Sequence, residues 1–140
     1  MGFRRLSPQF KAAERYFDPD MKERISKLLE RIDDLLVEPK APALIHGDLW
    51  GGNFIDGDDG SAWLIDPAAY VGHPEADIAM TELFGGFAPR FYHAYRESGL
   101  IDEGYETRRD IYNLYHLLNH LNIFGGGYLG AVAGIVKRYT

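Results

Sequence analysis

The chain has 140 residues, 46% of them hydrophobic and 14% aromatic, which is enough to bury one core of ordinary domain size. Its 21 acidic residues outnumber the 15 basic ones, which argues against a nucleic-acid partner because a phosphate backbone is bound by clustered cations. Cysteine is absent, so disulfides, thiolate metal sites and thiol nucleophiles drop out, and a reducing, cytoplasmic setting is expected.

The charged start Met1-Gly2-Phe3-Arg4-Arg5 leads into Leu6-Ser7-Pro8-Gln9, which is too short an apolar stretch for a signal peptide, so no targeting segment is expected. The first predicted element is an amphipathic helix. Asp18 is its cap and Pro19 its first helical residue, and Ile25, Leu28, Leu29, Ile32, Leu35 and Leu36 recur on one face until Pro39 and Pro42 stop it near Glu38. Three apolar segments follow, Ala43-Leu44-Ile45, Asn53-Phe54-Ile55 and Ala62-Trp63-Leu64-Ile65, each too short for a helix.

Between the last two lies Asp56-Gly57-Asp58-Asp59-Gly60-Ser61, whose residues tolerate positive φ, so these segments should pair as an antiparallel hairpin. A calcium loop is the weaker reading, because its glycine falls one place early and Pro67 stands where the bidentate acid belongs. From Glu75 on, four helices are predicted, with breaks at Gly85-Gly86, near Pro89, at Ser98-Gly99 and at Gly125-Gly126-Gly127. Gly125 to Gly130 formally fits a dinucleotide pattern, yet it follows a helix where that fingerprint needs a strand. The apolar run from Ile123 to Val136 contains five glycines and falls short of a membrane span, so no membrane partner is expected.

The stretch that can carry chemistry is His46-Gly47-Asp48-Leu49-Trp50-Gly51-Gly52-Asn53, followed across the hairpin by Ile65-Asp66-Pro67. Phosphoryl transfer to an alcohol needs a carboxylate beside the acceptor hydroxyl, and Asp48, on a loop just after a strand, is the candidate base. The Mg²⁺ that accompanies ATP takes a few hard oxygen ligands, which Asn53 and Asp66 can offer. Asn53 begins one hairpin strand and Asp66 ends the other, so antiparallel pairing brings the two together.

His46-x-Asp48-x-x-x-x-Asn53 with a later Asp66 resembles the catalytic loop and metal-binding aspartate of protein kinases, with Gly47 where those enzymes usually carry arginine. The His-Gly-Asp form points to the aminoglycoside-phosphotransferase-like branch. Within it, the loop, Ile65-Asp66-Pro67-Ala68-Ala69-Tyr70, Gly72-His73-Pro74-Glu75-Ala76-Asp77-Ile78-Ala79-Met80 and Leu117-Leu118-Asn119-His120-Leu121-Asn122-Ile123-Phe124-Gly125 look like fructosamine kinases. The resemblance implies ATP-dependent phosphorylation of a sugar hydroxyl on a ketosamine, either a small molecule or an adduct carried by a protein lysine. It also implies that Asp48 is the base, that Asn53 and Asp66 bind Mg²⁺, and that Trp50, Asn119 and His120 contact the acceptor. Asp77 would brace the catalytic loop through its backbone N–H groups, and His46 is read as a structural hydrogen-bonding residue.

The implied fold is α+β and mostly helical, the C-terminal lobe of a protein-kinase-like enzyme with a small catalytic β-hairpin, forming a single domain over residues 1–140. Only 45 residues precede His46, and none reads as a glycine-rich loop or a strand lysine. The nucleotide-binding lobe is therefore expected to be absent from these residues, and the isolated chain to bind ATP poorly and turn over negligibly. Two other readings stand beside this one: another small-molecule kinase of the aminoglycoside or choline type, and a non-catalytic remnant or binding module.

Overall fold

The computed structural model describes residues 2–140; Met1, the first residue of the charged start, lies outside the described residues, and side chains are described from Arg4 onward. The chain divides into two compact units, Met1–Val37 with Asn113–Thr140, and Glu38–Tyr112. Most of the structure is helix, with two small antiparallel ribbons, so the α+β, mostly helical class holds. Among the described residues no helix is long and apolar enough to cross a membrane.

The first unit is helical. Its α1 (Gly2–Ala12) lies where the sequence reading placed no element, because Pro8 sits inside it and removes a backbone donor. Leu6, Phe10, Ala13 and Phe17 recur at three- and four-residue intervals and are all buried, and that packing outweighs the lost hydrogen bond. The predicted helix is α2 (Pro19–Leu35), opened by Asp18, whose Oδ1 accepts the Met21 N–H at 2.8 Å. It buries Met21, Ile25, Leu28 and Ile32. From Asn113 on, α5 (Tyr105–Phe124) adds buried Leu114, Leu117, Leu118 and Leu121, and α6 (Leu129–Tyr139) adds Val132, Ile135 and Val136. Asn122 ties α5 to α1 by donating to Gln9 O at 3.1 Å and Gln9 Oε1 at 2.8 Å. A 3-10 turn over Gly126–Tyr128 joins α5 to α6, so the glycine run is a helix–helix break.

The second unit holds both ribbons. Strand β2 (Phe54–Asp56) pairs with β3 (Ala62–Leu64) as the expected hairpin, with Phe54 opposite Leu64 and Asp56 opposite Ala62. In its turn the Gly57 N–H donates to Ser61 O at 2.8 Å, and Asp59 accepts from the Ser61 backbone and hydroxyl, so that carboxylate is committed to the turn. The first predicted strand, β1 (Ala43–Ile45), has a partner the sequence did not announce: β4 (Tyr70–Gly72), with Ile45 opposite Tyr70. After the ribbons come α3 (Pro74–Leu83), α4 (Pro89–Glu97) and the start of α5. Their core gathers Ile78, Ala79 and Tyr105, with Phe91, Tyr95 and Ile101 packed against it.

Candidate active site

The loop from His46 to Asn53 begins where β1 ends, and its path depends on a residue without a side chain. Gly47 has φ +82°, and a Cβ there would lie 2.2 Å from Ala68 O. The backbones are held this close because the Ala68 N–H donates to His46 O at 2.9 Å. Glycine thus meets both a left-handed backbone and a steric limit.

Beneath the loop lies Asp77, buried on the first turns of α3. Its Oδ2 accepts the His46 N–H at 2.6 Å and its Oδ1 the Gly47 N–H at 2.8 Å. Two charge-assisted bonds and a place near a helix N-terminus offset the cost of burying the carboxylate. His46 uses both ring nitrogens locally. Nδ1 accepts the Asp48 N–H at 3.3 Å, which puts the ring proton on Nε2, where it donates to Ile65 O at 2.8 Å. The imidazole therefore ties the loop to the segment that leads out of β3.

Asn53 closes a 3-10 turn (Gly51–Asn53), with its N–H donating to Trp50 O at 2.9 Å. Its side chain is buried, and Nδ2 donates to Asp48 O at 2.8 Å and to Asp48 Oδ2 at 3.0 Å. Both amide protons are committed to Asp48, which orients the carboxylate and leaves the amide oxygen outside these two bonds. The hairpin ladder extends one step further, with the Ile65 N–H donating to Asn53 O at 3.0 Å, so Asp66 follows directly at the same end. Asp66 is exposed and has φ 48°, the only positive φ outside glycine among the described residues. Aspartate tolerates this left-handed conformation better than most residues.

Trp50 is 39% exposed and lies across Gly52, where a Cβ would come 2.3 Å from the indole. Phe84, at the C-terminal end of α3, meets it nearly edge-on, with centroids 6.4 Å apart. Asn119 and His120 lie on α5 in the other compact unit. There His120 Nδ1 donates to His116 O at 2.7 Å, and its ring packs 5.4 Å from Phe124 and 5.2 Å from Tyr128. Asp48, Asn53, Asp66, His46 and Asp77 are thus linked within one unit through direct bonds or adjacent residues.

Sequence reasoning did not assign a role to Glu75 or Arg108, and it read Tyr112 only as a core-filling aromatic. Glu75 is fully buried in α3 and paired with Arg108, and Tyr112 donates to it at 3.0 Å. The partners are more than thirty residues apart, and the one local signal was an acid just inside a helix start, which exposed helices also show. The donor set at the hairpin end consists of hard oxygens, an amide carbonyl and a carboxylate, which suits a Mg²⁺ ion that keeps waters and phosphate oxygens in its shell.

This fold and loop have the form of the C-terminal lobe of a kinase-like protein. A model of the fructosamine kinase family matches residues 3–140. The chain is 46% identical over 120 residues to a probable ketoamine kinase of Synechocystis, covering 86% of this chain and 40% of that protein. It is 40% identical over 138 residues to the ketosamine-3-kinase of Mus musculus, covering 97% of this chain and 44% of that one. The crystal structure of a candidate fructosamine-3-kinase from Thermobifida fusca superposes with a TM-score of 0.82 at 38% identity, over 93% of this chain and 46% of that one. The chain belongs to the fructosamine kinase family and spans less than half the length of these relatives.

Proposed function

We propose that the chain is the acceptor-binding, catalytic half of an ATP-dependent kinase that phosphorylates a sugar hydroxyl of a ketosamine. The observation that carries this reading is the Asn53 side chain, which holds both the carbonyl and the carboxylate of Asp48 at the end of the hairpin where Asp66 emerges. Asp48 takes the proton of the acceptor hydroxyl as that oxygen attacks the γ-phosphorus, and the bond to the ADP oxygen breaks. Asp77 and His46 keep the loop rigid, so that little reorganisation is needed during reaction. Asn53 Oδ1 and Asp66 would hold Mg²⁺, which when bound offsets the charge of the phosphates. Trp50 offers an exposed apolar surface for the C–H face of a sugar.

The acceptor class follows from the family and its named relatives: a free ketosamine, or the same adduct on a protein lysine. A chain without cysteine suits a cytoplasmic site of action. The nucleotide is expected to need the part of the relatives that this chain does not span, since the described residues before β1 form helices and connecting segments, not a glycine loop and a strand lysine.

ADP release tests this. The 140-residue chain should show no turnover, and the chain joined to the unspanned part of the Synechocystis relative should release ADP when a ketosamine is added. Asp48→Asn in the joined protein should lower kcat by about 10² to 10⁴-fold. Preference for an aminoglycoside or choline would move the protein to the other small-molecule kinases, and undiminished turnover of the Asp48 variant would end the mechanism.

A further inference from the structure

Glu75 sits in the first turn of α3, two residues before Asp77, and is fully buried. Four donors converge on its carboxylate. Arg108 Nε reaches Oε2 at 2.9 Å and Arg108 Nη2 reaches Oε1 at 2.7 Å; the Tyr112 hydroxyl donates to Oε2 at 3.0 Å and the Asp102 N–H to Oε1 at 3.1 Å. The Arg108 fork is fixed in turn, because Nη2 also donates to Glu103 O at 3.0 Å. Burial and the neighbouring Glu75 charge push the Tyr112 phenol above its ordinary value, so it remains a donor. Such a completed buried network has one arrangement and tolerates little displacement.

His73 Nε2, Glu75 and Asp102 also present ligand atoms within 4.8 Å of one another, and His73 Nε2 is buried without a hydrogen-bond partner. A metal does not suit this cluster. His73 Nδ1 accepts the Glu75 N–H at 3.2 Å as the α3 cap, which leaves the proton on Nε2, the atom a metal would need bare. The cation that neutralises Glu75 is the Arg108 guanidinium.

We propose that Arg108 is a positioning residue for the catalytic loop: by clamping Glu75 it fixes the first turn of α3 and so holds Asp77 against the amides of His46 and Gly47. The lever is short. Glu75 and Asp77 share one helical turn, and Asp77 makes its two loop bonds at 2.6 and 2.8 Å, so a tilt of that turn lengthens both. The consequence for catalysis rests on the kinase reading above, and the structural link does not.

The test is solution NMR of the 140-residue chain, following the amide protons of His46 and Gly47. In the wild type both should be shifted downfield by their carboxylate acceptor and protected from solvent exchange. Arg108→Lys keeps the charge and loses the fork; both signals should move upfield and exchange about tenfold faster. Leu121→Ala, a comparably disruptive change in the first unit, should leave the two signals in place. If Arg108→Lys leaves them where Leu121→Ala does, the proposal is overturned. Should Arg108→Lys not fold, Tyr112→Phe removes one bond to Glu75 and must show the same shift, smaller; no shift there also overturns it. In the joined kinase, Arg108→Lys should lower kcat about tenfold with the acceptor KM unchanged, and an unchanged kcat counts against it. A wild-type joined protein that is inert would refute the kinase reading while leaving the amide comparison intact.

Discussion

The two compact units bury different kinds of side chain. In the first, α1, α2, α6 and the later part of α5 enclose Leu6, Phe10, Leu28, Leu114, Leu118 and Val136, and Asn113 is the one buried polar residue recorded there among the described residues. The second, residues 38–112, buries Asn53, His73, Glu75, Asp77, Thr81 and Arg108. Apolar packing is non-directional and accepts many residue combinations at modest cost. Buried polar groups must each meet a partner at hydrogen-bond distance, so they specify positions. The loop from His46 to Asn53 lies in the unit that carries this directional burden, and the helical unit is the more generic of the two.

The largest effect expected in this comparison is from Gly47→Ala. The new Cβ meets Ala68 O and the backbone is left-handed, so stability should fall by about 4 kcal/mol, as read by urea denaturation. The His46 and Gly47 amide signals should shift as well, and a change below about 1 kcal/mol would show that the loop moves freely and would break the contrast. Next is Leu28→Ala, which opens a cavity at a fully buried site of α2 and should cost about 3 kcal/mol by the same measurement. Its loop amides should stay put, and a shift there would erase the distinction between generic and directional packing.

The smallest effect concerns pH. Burial holds the His73 imidazole below its ordinary value of 6.5, against the opposing pull of Glu75 and Asp102 and with Arg108 adding to the lowering. Above that value both folded and unfolded chains are neutral at this residue. As pH falls from there toward the lower folded value, the unfolded chain takes up a proton that the folded one refuses, so stability declines across that window. His73→Asn keeps a capping acceptor without the titration, and its stability should fall less between pH 7 and pH 5, as thermal unfolding would measure.

Much of the chain was legible because its signals are local. Asp-Pro at the start of α2, glycine and aspartate in the hairpin turn, and the spacing from Asp48 to Asn53 are each short-range constraints, and the hairpin turn alone brings Asn53 and Asp66 to one end. Two elements escaped. The α1 helix was hidden because Pro8 marks a local cost, while the compensating burial of Leu6 and Phe10 depends on distant partners. The β4 strand was hidden because three residues carry too little periodicity, and its pairing with β1 spans the whole hairpin.

Residue types and their spacing along the chain determined the family, the turn chemistry and the set of acids and amide in the loop and at the hairpin end. Tertiary structure decided how these groups are held: Asp77 under two loop amides, His46 with both nitrogens engaged, Glu75 within the Arg108 fork. Local conformational preference acts over a few residues, whereas the satisfaction of a buried charge depends on which distant donor the fold delivers to it.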